Sequence, residues 1–256
     1  MRNQIGSDGE DQRKFEEAIR TARLAGMDAF QRWFNEARDV HESLVRGYWD
    51  LSLHILTPKV CEYIQRPEEK VALEIGYGGG RILNAACSYF RQAIGIDIHV
   101  EANSVEALLR SHGKSNFRLI RTAGQSIDVD SESVDFIYSF IVLQHLPRYD
   151  LFARYVAEAY RCLRPGGVAQ LYFGRYSTLR LSDQLRYLFR GYKEFPERPI
   201  DQKRLLIRVS KAKRLCEETG FRVLGTGTSY KSAPDGFPAK RGGQSYVTLL
   251  KRGGSN

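Results

Sequence analysis

The stretch "VALEIGYGGGRILNAACSYFRQAIGIDI", residues 71–98, reads as strand, glycine turn, helix, strand. "VALEI" (71–75) is a short apolar run, the glycines at 76, 78, 79 and 80 turn the chain, "RILNAACSYF" (81–90) has helical spacing, and "AIGIDI" (93–98) is a second strand. Outward from it the alternation continues. Helix "SVEALLRSHG" (104–113), strand "FRLIRT" (117–122), strand "VDFIYSF" (134–140), helix "RYDLFARYVAEAYRCL" (148–163) and strand "GVAQLYF" (167–173) follow in order. Strands separated by helices of about ten residues give right-handed crossovers, hence a largely parallel sheet covered on both faces. The predicted class is a doubly wound α/β fold.

After Phe173 the alternation stops for about thirty residues, then resumes with helix 210–220, ended by Gly220. Two strands, "FRVLGTGTSY" and "QSYVTLLKR", close the chain around the turn-rich "KSAPDGFPAKRGG". Upstream, residues 1–10 are polar and expected to fray, whereas Phe15, Ile19, Ala22, Met27, Phe30, Trp33 and Phe34 recur at helical spacing. The predicted organisation is an N-terminal helical extension over 1–66 and a main domain over 67–256 with an insertion at 174–209. The 256-residue length suits one core with an accessory element.

The net charge of +9 favours anionic partners without identifying one. Cys61, Cys87, Cys162 and Cys216 are scattered, with no Cys-x-x-Cys pair, so reduced thiols in the cytoplasm and no metal site are expected. No apolar run approaches the roughly 20 residues of a membrane helix, so no membrane partner is expected.

The glycine loop lies where open α/β sheets bind ligands, beyond the carboxyl end of a strand. A dinucleotide fingerprint places its third glycine at position 81, and Arg81 stands there. Nineteen residues after Gly78, Asp97 ends the second strand, where a carboxylate can accept from both hydroxyls of a ribose.

"VALEIGYGGGRILNAA", "AIGIDI", "VDFIYSFIVLQHLP" and "YRCLRPGGVAQLYF", in this order, resemble the motifs of class I S-adenosylmethionine-dependent methyltransferases of the small-molecule, type 11-like group. That resemblance spans roughly residues 68–175. It implies a Rossmann-like, seven-stranded, mostly parallel sheet with a reversed last strand, and S-adenosyl-L-methionine as cofactor. It assigns Gly76, Tyr77, Gly78 and Gly80 to the methionine half of the cofactor and Glu74 to its amino group. Asp97 is assigned to the ribose, Ile98 to the adenine face, and Ser139 and Phe140 to the sulfonium. Where relatives often carry an Asp toward the adenine amine, this chain has Ala123, which leaves Gly124 and Gln125 for that contact.

The resemblance also implies a lid made by the N-terminal helices and the 174–209 insertion. Tyr48, Trp49, His54, Tyr172 and Arg175 are the substrate-side candidates. His145, in "LQHL", is the candidate base, with His54 and Tyr48 as alternatives. The absence of an Asn/Asp-Pro-Pro-aromatic tetrapeptide after the fourth strand argues against methylation of a nucleobase amine. Residues 175–214 carry about twelve Lys and Arg against four Asp and Glu. An anionic sugar or metabolite acceptor, a solvated basic face and a dimer surface all accommodate that charge, in a monomer or homodimer. A non-catalytic cofactor-binding or RNA-binding protein of this fold is the main rival. A nicotinamide-dependent reductase fits the glycine spacing poorly and lacks a Tyr-x-x-x-Lys pair.

Overall fold

The computed structural model describes residues 5–176, 190–229 and 243–253. The predicted strands are present as β1 (Val71–Ile75), β2 (Gln92–Asp97), β3 (Phe117–Arg121), β4 (Val134–Ser139), β5 (Leu163–Arg175), β8 (Phe221–Thr228) and β9 (Gln244–Lys251). Two short strands add to these inside the insertion, β6 (Tyr192–Glu194) and β7 (Leu205–Ile207), so one sheet holds nine described strands. The first five run parallel in the order β3-β2-β1-β4-β5, which reverses direction between β1 and β4. β9 is antiparallel to both β5 and β8, the reversed last strand expected. The glycine turn after β1 therefore opens at the switch point of the sheet, where the flanking crossovers diverge and leave a crevice.

β1 illustrates why these segments became strands. All five of its residues are buried, with Leu73 and Ile75 on one face of the sheet and Ala72 on the other. The first face packs on α7 (Tyr149–Cys162) and α8 (Val209–Thr219) through Phe152, Val156, Ala212 and Cys216. The second meets α5 (Arg81–Ala86), α6 (Ala102–Ser111) and the N-terminal helices through Leu83, Val105, Phe30 and Leu51.

The N-terminal segment forms α1 (Ile5–Leu24), α2 (Met27–Asn35), α3 (Val40–Asp50) and the short α4 (Pro58–Cys61). Helix α1 begins at Ile5, so most of the stretch expected to fray is helical. Asp39 caps α3 by accepting from the Glu42 N–H at 2.7 Å, and a wide π turn over Leu51–Ile55 extends that helix. At Gly47 the backbone of α3 rests on the Arg81 carbonyl at the start of α5, a contact that leaves no room for a Cβ. Most of the predicted hairpin connection at 231–243, and residues 177–189 of the insertion, lie outside the described residues. No helix among the described residues is long and apolar enough to cross a membrane.

Candidate active site

A cavity of about 770 Å³ opens at the switch point, within the usual size range of small-molecule sites. Its floor is the glycine turn. Gly76 and Gly78 adopt φ of +79° and +50°, a region that side chains with a Cβ disfavour. Hydrogen bonds tie the turn at several of its peptide groups. The N–H of Gly76 donates to the Ile96 carbonyl at 2.8 Å, and that of Gly78 donates to Asp97 Oδ2 at 2.8 Å. The second Asp97 oxygen accepts from the Ile98 N–H at 2.7 Å. Oδ1 accepts a second, longer bond from the His99 N–H at 3.4 Å, so the acceptor capacity that Asp97 keeps toward the cavity it lines is on Oδ2.

Two residues beyond Asp97, the fully buried His99 holds the same glycine at its carbonyl. The Glu101 N–H donates to its Nδ1, which places the ring proton on Nε2, 3.0 Å from the Gly78 carbonyl. Gln31, from α2, donates to the Gly79 carbonyl at 2.8 Å. An aromatic path from Phe15 through Trp33 and Phe34 to His99 and Tyr77 then packs the N-terminal helices onto the turn.

Glu74 is almost wholly buried at the cavity wall and accepts from the Tyr138 hydroxyl at 3.2 Å. Burial pushes its carboxyl up to about 8, against the pull of the nearby Arg81 guanidinium and the Tyr138 bond. Arg81 is itself ion-paired with Asp50 at the end of α3. His54, in the π turn, stacks on Phe140 with centroids 5.1 Å apart and bonds Ser229 Oγ through Nδ1 at 2.8 Å. π turns recur at functional sites because they re-aim one side chain without ending the helix. His145 also lines the cavity. Its Nδ1 lies 2.7 Å from the Gln202 carbonyl, which puts the ring proton there and leaves Nε2 as the acceptor, 3.1 Å from Gln144 Nε2. Burial lowers its pKa, so the ring is neutral at pH 7.

The cavity gathers Glu74, Gly76, Gly78, Asp97, Ile98, Gly124, Gln125, Phe140, His145, Trp49 and His54, together with Ala123. Other predicted residues stand elsewhere. Gly80 caps α5, and a Cβ there would meet Val105, so its role is packing. The Tyr77 ring reaches the cavity edge but is buried beneath the loop against His99, its hydroxyl without a partner. Ser139 is fully buried and not in the lining. Tyr48 turns its hydroxyl to Ser88, 2.8 Å away, and Tyr172 donates to the His54 carbonyl at 2.5 Å beneath the wall. Arg175 is exposed, away from the lining.

Sequence reading missed Gln31, His99 and the Asp50–Arg81 pair, because each acts through a partner remote in the chain or carries no motif. It also missed Ile141, a β-branched residue at φ +61° beside Phe140 in the cavity wall, a conformation that costs on the order of 1–3 kcal/mol. Some of the positive charge of the insertion and of the start of α8 lies over aromatic rings. Lys193 and Arg198 lie over the Phe195 ring, Arg208 over Tyr176 and Lys211 over Tyr149.

Residues 73–171 match the family described as "Methyltransferase domain". Over those residues the chain is similar to a methyltransferase domain, and S-adenosylmethionine is the cofactor that such a domain indicates. Among solved structures, an S-adenosylmethionine-dependent methyltransferase from Methanosarcina mazei is similar in fold, with a TM-score of 0.58 at 22% identity over 77% of this chain and 99% of that one. One from Mesorhizobium loti superposes at TM-score 0.54 and 13% identity, covering 78% of this chain and 99% of its own. Another from Aquifex aeolicus gives 0.52 and 16%, covering 79% and 92%. No curated protein matches the chain significantly.

Proposed function

We propose that this protein is an active methyltransferase that moves a methyl group from S-adenosylmethionine to a small-molecule acceptor bound in the same cavity. The observation that carries this reading is the meeting of Asp97, with acceptor capacity to spare, a bare glycine turn and the Glu74 carboxyl at one cavity wall. These groups suit a ribose, a close-lying methionine backbone and an ammonium respectively. When bound, the cofactor supplies an electrophilic methyl on a positively charged sulfur.

The chain's own residues then have separable tasks. Asp97 orients the ribose, Ile98 and Gly124 flank the adenine, and Gln125 offers its amide to the ring edge. Phe140 presents an aromatic ring to the positive sulfur, backed by the stacked His54. Glu74 releases its proton when an ammonium arrives, since a cation beside it favours the ionised form. His145 is neutral, and its Nε2, which accepts from Gln144 in the ligand-free protein, takes a proton from a hydroxyl acceptor that displaces that bond, with Trp49 and His54 lining the approach. Helices α1–α3, over the glycine turn, form the lid of the 1–66 extension, which keeps water from the displacement.

The test is isothermal calorimetry of S-adenosylmethionine and NADH with the full chain. Micromolar binding of the first and none of the second is expected, and folded protein that ignores S-adenosylmethionine would sink the reading. A His145→Gln variant should bind the cofactor normally and turn over a hydroxyl acceptor roughly 100-fold more slowly.

A further inference from the structure

One face of α1 turns inward. Gln12, Phe15, Glu16 and Ile19 follow one another at helical spacing, with Ile19 fully buried and both Gln12 and Phe15 in the cavity lining. From that face a chain of hydrogen bonds runs to Ile98, beside the glycine turn. Gln12 Nε2 donates to Glu16 Oε1 at 3.2 Å, the same oxygen accepts from Arg121 at 3.1 Å, and Arg121 Nε donates to the Ile98 carbonyl at 3.3 Å. Two residues after Arg121 stands Ala123, where the resemblance places an acid and this chain has none.

An ionised carboxylate only accepts, so Glu16 fixes which way the Gln12 amide points. The Gln12 NH2 is turned to Glu16. Its oxygen accepts no hydrogen bond among the described residues and is not sealed in the interior, since the residue is half-buried. Gln125 is fixed the opposite way. Arg154 donates to its Oε1 at 3.3 Å, and a guanidinium only donates, so Gln125 keeps its NH2 for a ligand. Thr122 turns its hydroxyl to its own loop, donating to the Ser126 carbonyl at 2.9 Å and accepting from the Gly124 N–H at 3.3 Å.

The lining thus holds an acceptor on Gln12 and a donor on Gln125. A 6-aminopurine is the complement, with an amine that donates and ring nitrogens that accept. A 6-oxopurine reverses both, because its oxygen accepts and its N1 carries a proton. We infer that Gln12, carried by α1, recognises the exocyclic amine of the cofactor's adenine while Gln125 donates to a ring nitrogen, so that the N-terminal helix sets base specificity in place of the missing acid. This inference rests on the S-adenosylmethionine reading and adds a specificity-determining residue to it.

The test is isothermal calorimetry of the full chain with S-adenosylhomocysteine and with S-inosylhomocysteine, which differ at the purine 6-position. Wild-type protein is expected to bind the adenosyl ligand at least roughly 30-fold more tightly, the scale of two reversed hydrogen bonds. Gln12→Leu removes the acceptor and should cut that ratio roughly tenfold. Gln12→Lys replaces the acceptor with a donor that also pairs with Glu16, and should lower the ratio further by favouring the 6-oxo ligand. A helix that only packs over the site would weaken both ligands alike and leave the ratio unmoved. Tyr155, on α7, is the rival, because it lines the same cavity and carries a hydroxyl. Tyr155→Phe should leave the ratio at its wild-type value. Equal binding of the two ligands by wild type, an unchanged ratio in Gln12→Leu or Gln12→Lys, loss of both ligands by either variant, or a ratio that collapses in Tyr155→Phe each overturns the inference. Folded wild-type protein that fails to bind S-adenosylhomocysteine would instead overturn the cofactor reading beneath it.

Discussion

Two parts of the cavity lining are built on opposite terms. At the glycine turn, Gly78 is held at its N–H by Asp97 and at its carbonyl by His99, while Gln31 holds Gly79. Elsewhere in the lining, Gln144 and Gln244 keep unpaired buried atoms and Ile141 keeps a disfavoured backbone. A turn bonded in this way is pre-organised, so its ligand meets backbone that needs no reordering. The difference teaches that one part of the wall is fixed by hydrogen bonds of the fold itself and the other is not.

The comparison breaks most visibly at Gly47. Its Cβ would strike the Arg81 carbonyl, and backbone cannot yield as a side chain tip can. Gly47→Ala should cost about 3 kcal/mol or more in a urea unfolding curve and weaken cofactor binding with it.

Glu74 gives the next effect through pH. Its carboxyl ionises near 4.5 in the unfolded chain and near 8 in the fold, so between these values the folded protein holds a proton that the unfolded chain has released. Its contribution to stability is complete below the lower value and lost as pH rises through the upper one. Melts of the ligand-free protein from pH 5 to 9 should show the decline, and Glu74→Gln should flatten it. Cofactor binding at pH 7 should release a proton, seen as a dependence of the calorimetric enthalpy on buffer ionisation heat.

Asp97→Asn sharpens the comparison at the ligand. It keeps the shape but not the charge, and should weaken S-adenosylmethionine roughly 100-fold by calorimetry, the scale of lost charge-assisted bonds. Ile141→Gly probes the other part and should be the mildest. Relief of the positive φ offsets the entropy that glycine adds to the unfolded chain, so stability should change by less than about 1 kcal/mol. A large loss there would show that this part is as tightly built as the turn.

How far the site could be read in advance follows from how local each signal is. The strand, glycine turn and Asp97 are legible because the turn demands glycines at set positions and the carboxylate sits where the next strand ends. Gly80 was misread for the same reason in reverse. Spacing shows that a glycine is needed but not whether a ligand or, as here, Val105 requires it. Tyr48 and Tyr172 are aromatic and polar in suggestive places, yet their hydroxyls bond Ser88 and the His54 carbonyl. The positive charge of the insertion leaves a ligand, a solvated face and a dimer surface open in the sequence, and the structure places Lys193, Arg198 and Arg208 over aromatic rings.

By itself, the sequence determined the order of strands and helices and the crevice at the end of β1. Hydrophobic period and turn chemistry act over a few residues, so they are written in consecutive letters. Only the tertiary structure decided which helices close over the turn, that Asp50 would reach Arg81, and that Gln144 and Gln244 would both line the cavity across a hundred residues of chain. Those pairings depend on strand order and on what each buried polar atom finds when the sheet closes, and no local pattern carries that information.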